Sequence, residues 1–233
     1  MTNVVDLLDR PVYGFGQVDY ILSLTSGTAR RWIDGYQRGG RAYDPVVRVA
    51  STGGESVTWG EFVETRLLSG YRDAGVPLIR MRPAVERLRD ELNTPYPLAS
   101  ARTWLAPDGR ELVRRIQDEV GLEKRLSIVV RTGQGMFDWS READDCLRSA
   151  DWSTQGADAE VRTLRPVADI SEVLIDPLRS FGEPVVRGVR TDIIAELVRA
   201  GDTPDMIAEL YELPRSTVDA AVRYELLRAA SAG

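Results

Sequence analysis

The chain has 233 residues, with 30 Lys and Arg against 36 Asp and Glu, a net charge of -6, no His and a single Cys, Cys146. Without His the usual general base near neutral pH, the Ser-His and Cys-His nucleophile pairs and nearly all zinc sites are excluded, and one Cys forms no internal disulfide. A chain of this length buries roughly 70% of its unfolded surface without such staples, and no run of 18 apolar residues and no basic-then-apolar leader is present, so a soluble, cytoplasmic protein with no membrane partner is expected.

Residues 1–12 read as a loose arm, and Tyr13-Gly-Phe-Gly16 as turn material. Two short helices are predicted next, over residues 18–24 and 28–36, separated by Thr25-Ser26-Gly27, whose hydroxyls suit a helix cap; the second stops before Gly39-Gly40. Residues 44–50 and Val57-Thr58-Trp59, on either side of Ser51-Thr-Gly-Gly54, resemble two short strands of a wing. Helical periodicity resumes over residues 61–73 with Phe62, Val63, Leu67 and Leu68 apolar, stops at Gly75, and returns over 83–92 ahead of the break Thr94-Pro-Tyr-Pro97.

In the middle, Trp104-Leu105 and Asp108-Gly109 suggest a hairpin, residues 112–120 a strand or helix, residues 127–130 a strand, and residues 155–158 a linker or acidic turn. A short strand over 173–175, a loop over 177–190 and three helices over 192–200, 204–211 and 215–230 follow. The pattern predicts an α+β, mainly helical chain in three parts: an N-terminal helix-turn-helix domain (1–93), a mixed α/β middle region (94–165) and a C-terminal tri-helical, helix-turn-helix-like domain (166–233).

Charge is unevenly placed. Residues 1–110 carry 14 Arg against 13 acids, and residues 111–233 carry 16 bases against 23 acids. Residues 20–50 hold Arg30, Arg31, Arg38, Arg41 and Arg48 against only Asp34 and Asp44, a local net of +3. An acidic surface repels DNA or attracts a basic partner, whereas the basic stretch suits the nucleic-acid backbone.

A helix-turn-helix packs its second helix by one face and offers the other to the major groove. In the C-terminal candidate Ile207, Tyr211, Leu213, Val218 and Ala221 hold the packing positions, with Glu212 where a Gly is usual. Its outward set, Arg215, Ser216, Thr217, Asp219 and Arg223, is mixed in charge, which favours a protein-binding or dimerising module. In the N-terminal candidate Val18, Leu22, Leu24, Ala29 and Trp32 hold the packing positions, and Asp19 stands where a small residue is expected. Its candidate DNA-binding residues are Ser26, Thr28, Arg30 and Arg31 at the start of the second helix, with Arg38 and Arg41 for the flanking backbone. Three or four such phosphate contacts per subunit give a dimer a log–log salt slope of roughly -5 to -7.

The run Val173-Leu-Ile-Asp-Pro177, Phe181-Gly-Glu-Pro-Val-Val186, Gly188, Arg190-Thr191, Ile194, Ala200-Gly201, Thr203-Pro204, Ile207-Ala208, Tyr211-Glu-Leu213, Val218 and Ala220-Ala221 resembles the small helical domain-of-unknown-function family 433, whose members often act in bacterial antitoxins. Tyr13-Gly-Phe-Gly16 through Trp32-Ile-Asp-Gly-Tyr36 resembles the MerR-like helix-turn-helix that precedes this domain in long, two-domain VapB-type antitoxins of type II toxin–antitoxin modules. Tyr96-Pro-Leu-Ala99, Asp108-Gly109 and Gly133-Gln134 also resemble that architecture. The resemblance implies a homodimer that binds operator DNA and neutralises a VapC-type PIN-domain ribonuclease toxin with a magnesium-binding carboxylate cluster. An Arg fork entering that cluster competes with the metal; the candidates are Arg179, Arg187 and Arg190, with Arg165 as an outsider.

Enzymatic readings find little support. Gly14-Phe15-Gly16 and Gly133-Gln134-Gly135 lack the third Gly and the strand-loop-helix context of a dinucleotide site, and Asp144-Asp145 beside Cys146 reads as an acidic loop next to a small core residue. No catalytic residue, metal or cofactor is therefore expected. The rival reading is a stand-alone MerR-like transcriptional regulator whose C-terminal part senses a small ligand; it shares the DNA-binding half.

Overall fold

The computed structural model describes residues 6–133, 136–153 and 159–231. The expected linker at 155–158, the Gln134-Gly135 part of the second glycine pair and the first five residues of the expected arm lie outside them. The fold is α+β and mainly helical, and its described strands form small two-stranded antiparallel sheets.

Strand β1 (Pro11–Gly14) runs into α1 (Phe15–Ile21) and α2 (Thr28–Ile33), then into the hairpin of β2 (Tyr36–Arg38) and β3 (Arg41–Tyr43). Strand β4 (Ser56–Thr58) returns to pair with β1 and leads directly into α3 (Trp59–Gly70). The arm is thus not loose throughout: Leu8 is buried and the backbone is paired from Pro11. Thr58 and Glu61 form a reciprocal capping box that starts α3, with Thr58 Oγ1 accepting from the Glu61 amide at 3.2 Å and Glu61 Oε2 accepting from the Thr58 amide at 2.9 Å. Every residue of α3 from Trp59 to Leu68 is buried, which makes it the central helix.

Helices α4 (Arg82–Leu92), α5 (Ala101–Trp104) and α6 (Gly109–Glu119) follow, then β5 (Val129–Arg131) paired with β6 (Phe137–Trp139). Next come α7 (Arg141–Ser149) and β7 (Ala150–Trp152), which pairs with β8 (Val161–Leu164). The hairpin expected around Asp108-Gly109 is not formed. Val113 and Ile116 are buried at helical spacing, so the segment after Asp108 winds into α6. A Cβ at Gly109 would lie 2.4 Å from the Thr103 carbonyl oxygen, so only Gly admits the close approach of α5 to α6. Residues 173–175 make only isolated bridges, from Ile175 to Leu164 and from Leu174 to Val185.

The C-terminal part comprises the two-residue strands β9 (Val185–Val186) and β10 (Val189–Arg190), then α8 (Thr191–Ala200), α9 (Pro204–Leu210) and α10 (Arg215–Ser231). The three helices match their expected spans to within two residues. The apolar core falls into two clusters. The larger runs from Leu8 to Ile175, so the middle region packs with the N-terminal helices; the Trp59 indole N–H donates to the Val161 carbonyl at 2.6 Å across that junction. The smaller runs from Ile170 to Tyr224 and holds Ile194, Ile207, Val218 and Ala221. No helix of the described residues is long and apolar enough to cross a membrane.

Candidate functional site

The first unit is built on Asp19, the residue that looked out of place in a helix-turn-helix. Its buried carboxylate accepts from the amides of Gly27 and Ala29, each at 2.7 Å, and so caps α2 from the body of α1 and fixes the angle between the two helices. Burial pushes this carboxyl above its ordinary value, against the opposite pull of the amide donors and Arg31. Ala29 and Ile33 face the core, while Thr25, Ser26, Arg30 and Arg31 are exposed. Thr28 differs from expectation: its side chain is buried, and its hydroxyl accepts from Arg31 at 2.8 Å.

Two residues beyond α2 the chain enters β2. Gly35 makes the corner at φ +77°, where a Cβ would lie 2.5 Å from the Tyr43 carbonyl oxygen. The hairpin turns on Gly39 and Gly40, both left-handed, and places Arg38 directly opposite Arg41. The rings of Tyr36 and Tyr43 stack across it at 4.5 Å, and the Arg41 guanidinium lies over Tyr43. This hairpin takes the place of the wing expected over residues 44–50 and 57–59: its Gly39-Gly40 turn lies 14 residues before Gly53-Gly54, and Val57-Thr58 pairs with β1 instead. Residues 44–50 do not form a strand because they are tied down as a loop: the amides of Val46 and Val47 both donate to the Trp32 carbonyl, and Val46 and Val47 are buried.

Arg48 is the hub of that loop. It pairs with Asp34 and Glu61, each at 2.6 Å, and donates to the Ser56 carbonyl at 2.7 Å. Asp34 also accepts from the amides of Thr52 and Gly53 and from the Ser51 hydroxyl. Burial raises the pKa of Asp34, but these donors outweigh it and hold the carboxyl at about 2. Of the five arginines in residues 20–50, Arg48 therefore belongs to the scaffold. Arg30 lies over the Phe15 ring and pairs with the exposed Glu55. Arg31, Arg38 and Arg41 have no carboxylate within ion-pair distance among the described residues. Exposed guanidiniums on a short helix and a projecting hairpin can grip phosphates on both sides of a groove.

The signal for the wing was present in Tyr36-Gln-Arg-Gly-Gly-Arg-Ala-Tyr43, a near-symmetric strand pair around Gly-Gly, but the glycines were read as a helix end.

The second unit carries the other candidate residues. Arg187 and Gly188, both at positive φ, form the tip of the β9–β10 hairpin; Arg187 is exposed and without an ion-pair partner among the described residues. Arg190 is held in a fork by Asp192, and Arg179 lies 3.6 Å from Asp176. Arg165 pairs with Asp151 at 3.0 Å. Between Arg179 and the hairpin, Ser180, Phe181 and Gly182 are all left-handed, and Phe181 is 89% exposed. Two non-glycine residues in succession at positive φ store strain that surrounding contacts must hold. The contact that holds this turn comes from the first unit: the Tyr13 hydroxyl donates to the Gly182 carbonyl at 2.6 Å, and Gln17 donates to Glu183 at 2.5 Å. Sequence reasoning missed Phe181 and Leu178, which is also exposed, because an apolar residue in a loop carries no periodic signal.

A buried seam joins the two units. Glu225 accepts from the Thr191 hydroxyl at 2.5 Å and pairs with Arg228 at 2.7 Å; the Arg228 side chain is 1% exposed and lies 3.5 Å from the centre of the Tyr20 ring. The Tyr224 hydroxyl donates to the Ile21 carbonyl at 3.1 Å. Helix α1, which aims α2, is thereby riveted to α10. Among the described residues no group of three or more Cys, Asp or Glu side chains could hold a metal ion.

Two family models match separate parts of the chain. The family model described as "Putative DNA-binding HTH domain" matches residues 11–85, and that described as "Protein of unknown function (DUF433)" matches residues 173–224. The chain is 37% identical over 229 residues to "Uncharacterized protein Rv2308" of Mycobacterium tuberculosis (strain ATCC 25618 / H37Rv), covering 95% of this chain and 93% of that one. It is 29% identical over 220 residues to "Putative antitoxin VapB45" of the same organism, covering 87% and 89%. The crystal structure of Rv2018 from Mycobacterium tuberculosis shares the fold, with a TM-score of 0.73 at 23% identity over 93% of this chain and 100% of that one. The chain belongs to the family of Rv2308 and joins a helix-turn-helix DNA-binding domain to a DUF433 unit.

Proposed function

We propose that the chain is a homodimeric antitoxin that represses its own operon by binding operator DNA and that inhibits a cognate VapC-type PIN-domain ribonuclease. The observation that carries the DNA half is the outward set Arg31, Arg38 and Arg41, left without acidic partners while the neighbouring Asp34 and Glu61 are both taken up by Arg48. Paired half-sites about one helical turn apart require a two-fold reader, hence the dimer.

The toxin half is supported by the relative named VapB45 and by the turn after Arg179. Leu178 and Phe181 offer apolar anchors, and Arg187 at the neighbouring hairpin tip offers a guanidinium free to pair carboxylates in the toxin's metal-binding cluster. Arg190, already forked to Asp192, supports the hairpin instead. In this reading the chain performs no chemistry of its own; it excludes metal and RNA from the toxin.

The test is co-expression with a VapC-type PIN-domain ribonuclease from the same host, followed by affinity purification and an RNA-cleavage assay. The native chain is expected to co-purify with the toxin and silence it, and the double variant Phe181→Ala, Arg187→Ala to release cleavage while still shifting operator DNA. Undiminished inhibition by the double variant would remove the proposed contact. A chain that shifts its promoter but binds no PIN-domain protein would reduce the function to stand-alone regulation.

A further inference from the structure

A cleft of about 600 Å³ opens where three parts of the molecule meet. Its walls are the α1–α2 turn at Leu22 and Ser23, the C-terminal end of α3 with the start of α7, and the segment Pro166–Ala168 together with Leu227 of α10. Arg66 of α3 lines it, with Arg72 and Arg141 nearby.

Arg66 is only 8% exposed, its Nε–H has no acceptor, and no carboxylate lies within ion-pair distance of it among the described residues. A guanidinium cannot shed its proton to relieve burial, so it stands as an uncompensated charge. The other buried arginines differ in having a carboxylate: Arg48 has Asp34 and Glu61, and Arg228, whose Nε and one Nη also lack acceptors, has Glu225 and the face of Tyr20. Only Arg66 of these three opens onto a cleft. Arg72 donates to the Ser23 carbonyl at 2.9 Å, which holds its guanidinium at the same opening, and Arg141, 90% exposed at the rim, lies 3.8 Å from Asp145 in a loose ion pair.

We propose that this cleft binds a small molecule through a single phosphate or carboxylate group, which pairs with Arg66 and is flanked by Arg72 and Arg141. A fork facing an anionic oxygen pair supplies the missing acceptors. Glu142 and Asp145 share the wall, so a polyanion such as nucleic acid is repelled, and the rest of the ligand presents hydroxyl or amine donors to them. An occupant touches both the helix-turn-helix turn and α10, and so bears on how the DNA reader sits against the C-terminal unit. The proposal stands apart from the antitoxin reading and holds whether or not a toxin is bound.

The test is a titration of the full chain, in moderate salt, with inorganic phosphate and separately with acetate, followed by the arginine Nε–H resonances in nitrogen-correlated NMR. The Arg66 resonance is expected to move saturably below about 20 mM of at least one probe, while Arg215 on the surface of α10 stays in place. Saturation by phosphate alone assigns a phosphate-bearing ligand, and by acetate alone a carboxylate. Arg66→Met is expected to abolish the saturable shift at Arg72 and Arg141 and to melt no lower than the native chain, because it removes an unpaired buried charge. Arg141→Ala, at the exposed rim, is expected to weaken binding by about tenfold without any risk to folding. Linear drift of Arg66 and Arg215 together, or a shift that survives Arg66→Met, would overturn the proposal.

Discussion

In the N-terminal unit three acids turn inward, Asp19 capping α2 and Asp34 and Glu61 closing on Arg48; the exposed Glu55 takes Arg30, and Arg31, Arg38 and Arg41 face solvent with no ion-pair partner among the described residues. In the C-terminal unit Glu225 is buried against Arg228, but other acids reach the outward arginines: Asp205 and Asp219 both pair with Arg215, and Asp192 takes Arg190. Both units have the helix-turn-helix packing pattern, and both carry arginines at the start of the second helix. What separates the two arginine sets is where the carboxylates are placed, since the surface acids beside Arg190 and Arg215 cancel the field that phosphates would feel.

Four predictions press on that contrast. The largest effect is expected from Arg30→Ala, Arg31→Ala, Arg38→Ala and Arg41→Ala combined, which should lower operator affinity by about 100-fold or more and flatten the log–log salt slope by roughly three per protomer. Arg215→Ala with Arg223→Ala should leave both nearly unchanged; equal losses from the two sets, measured by fluorescence anisotropy across a salt series, would erase the distinction. Next, Asp34→Asn leaves Arg48 half-paired in a buried hub and should cost about 3 kcal/mol in urea unfolding. The same carboxyl, with its pKa held at about 2 against an ordinary 3.8, contributes stability that is full above about pH 4 and is lost as the pH falls towards 2, and the variant should lack that acid limb.

Smaller is Asp19→Ala, at about 1–2 kcal/mol for a lost cap, with operator binding falling further than stability does because the aim of α2 loosens. The smallest concerns Glu64, fully buried in α3 with only the Leu98 amide donating to it at 2.8 Å. Burial pushes its pKa from 4.5 to about 8, so the folded state holds a proton the unfolded chain has released, and stability declines as the pH rises from about 4.5 to 8. Glu64→Gln should remove that slope and raise the melting temperature at pH 8; an unchanged slope would show that Glu64 is ionised in the fold.

The C-terminal helices were legible because three amphipathic segments are each punctuated by a breaker: Gly201 ends α8, and Thr203-Pro204 caps and opens α9. Helices α3 and α4 were legible for the same reason. The wing was displaced because residues 44–50 resemble a strand, while the amides of Val46 and Val47 are taken by Trp32 and the Arg48 side chain by Asp34 and Glu61, partners no local pattern reveals. The outward arginines of the reader could be named from the sequence, but Thr28 could not be told from its exposed neighbours, since its burial is set by how α2 lies on α1. Arg66 was invisible for the same reason: one Arg in a helix reads as surface until the helix proves buried on all sides.

The seam at Tyr20, Tyr224, Glu225 and Arg228 also governs how this architecture can be recombined. Exchange of the reader for one lacking an aromatic ring at position 20 would strip the buried guanidinium of α10 of the ring it faces in the first unit, and exchange of the C-terminal unit for one lacking Tyr224 and the turn at Gly182 would orphan the Ile21 carbonyl and the Tyr13 hydroxyl. A chimera keeps this seam only where its parents supply matching residues at positions 20, 224 and 228. The residues of α2 and the β2–β3 hairpin lie outside the seam, so substitutions there leave the junction between the two units intact.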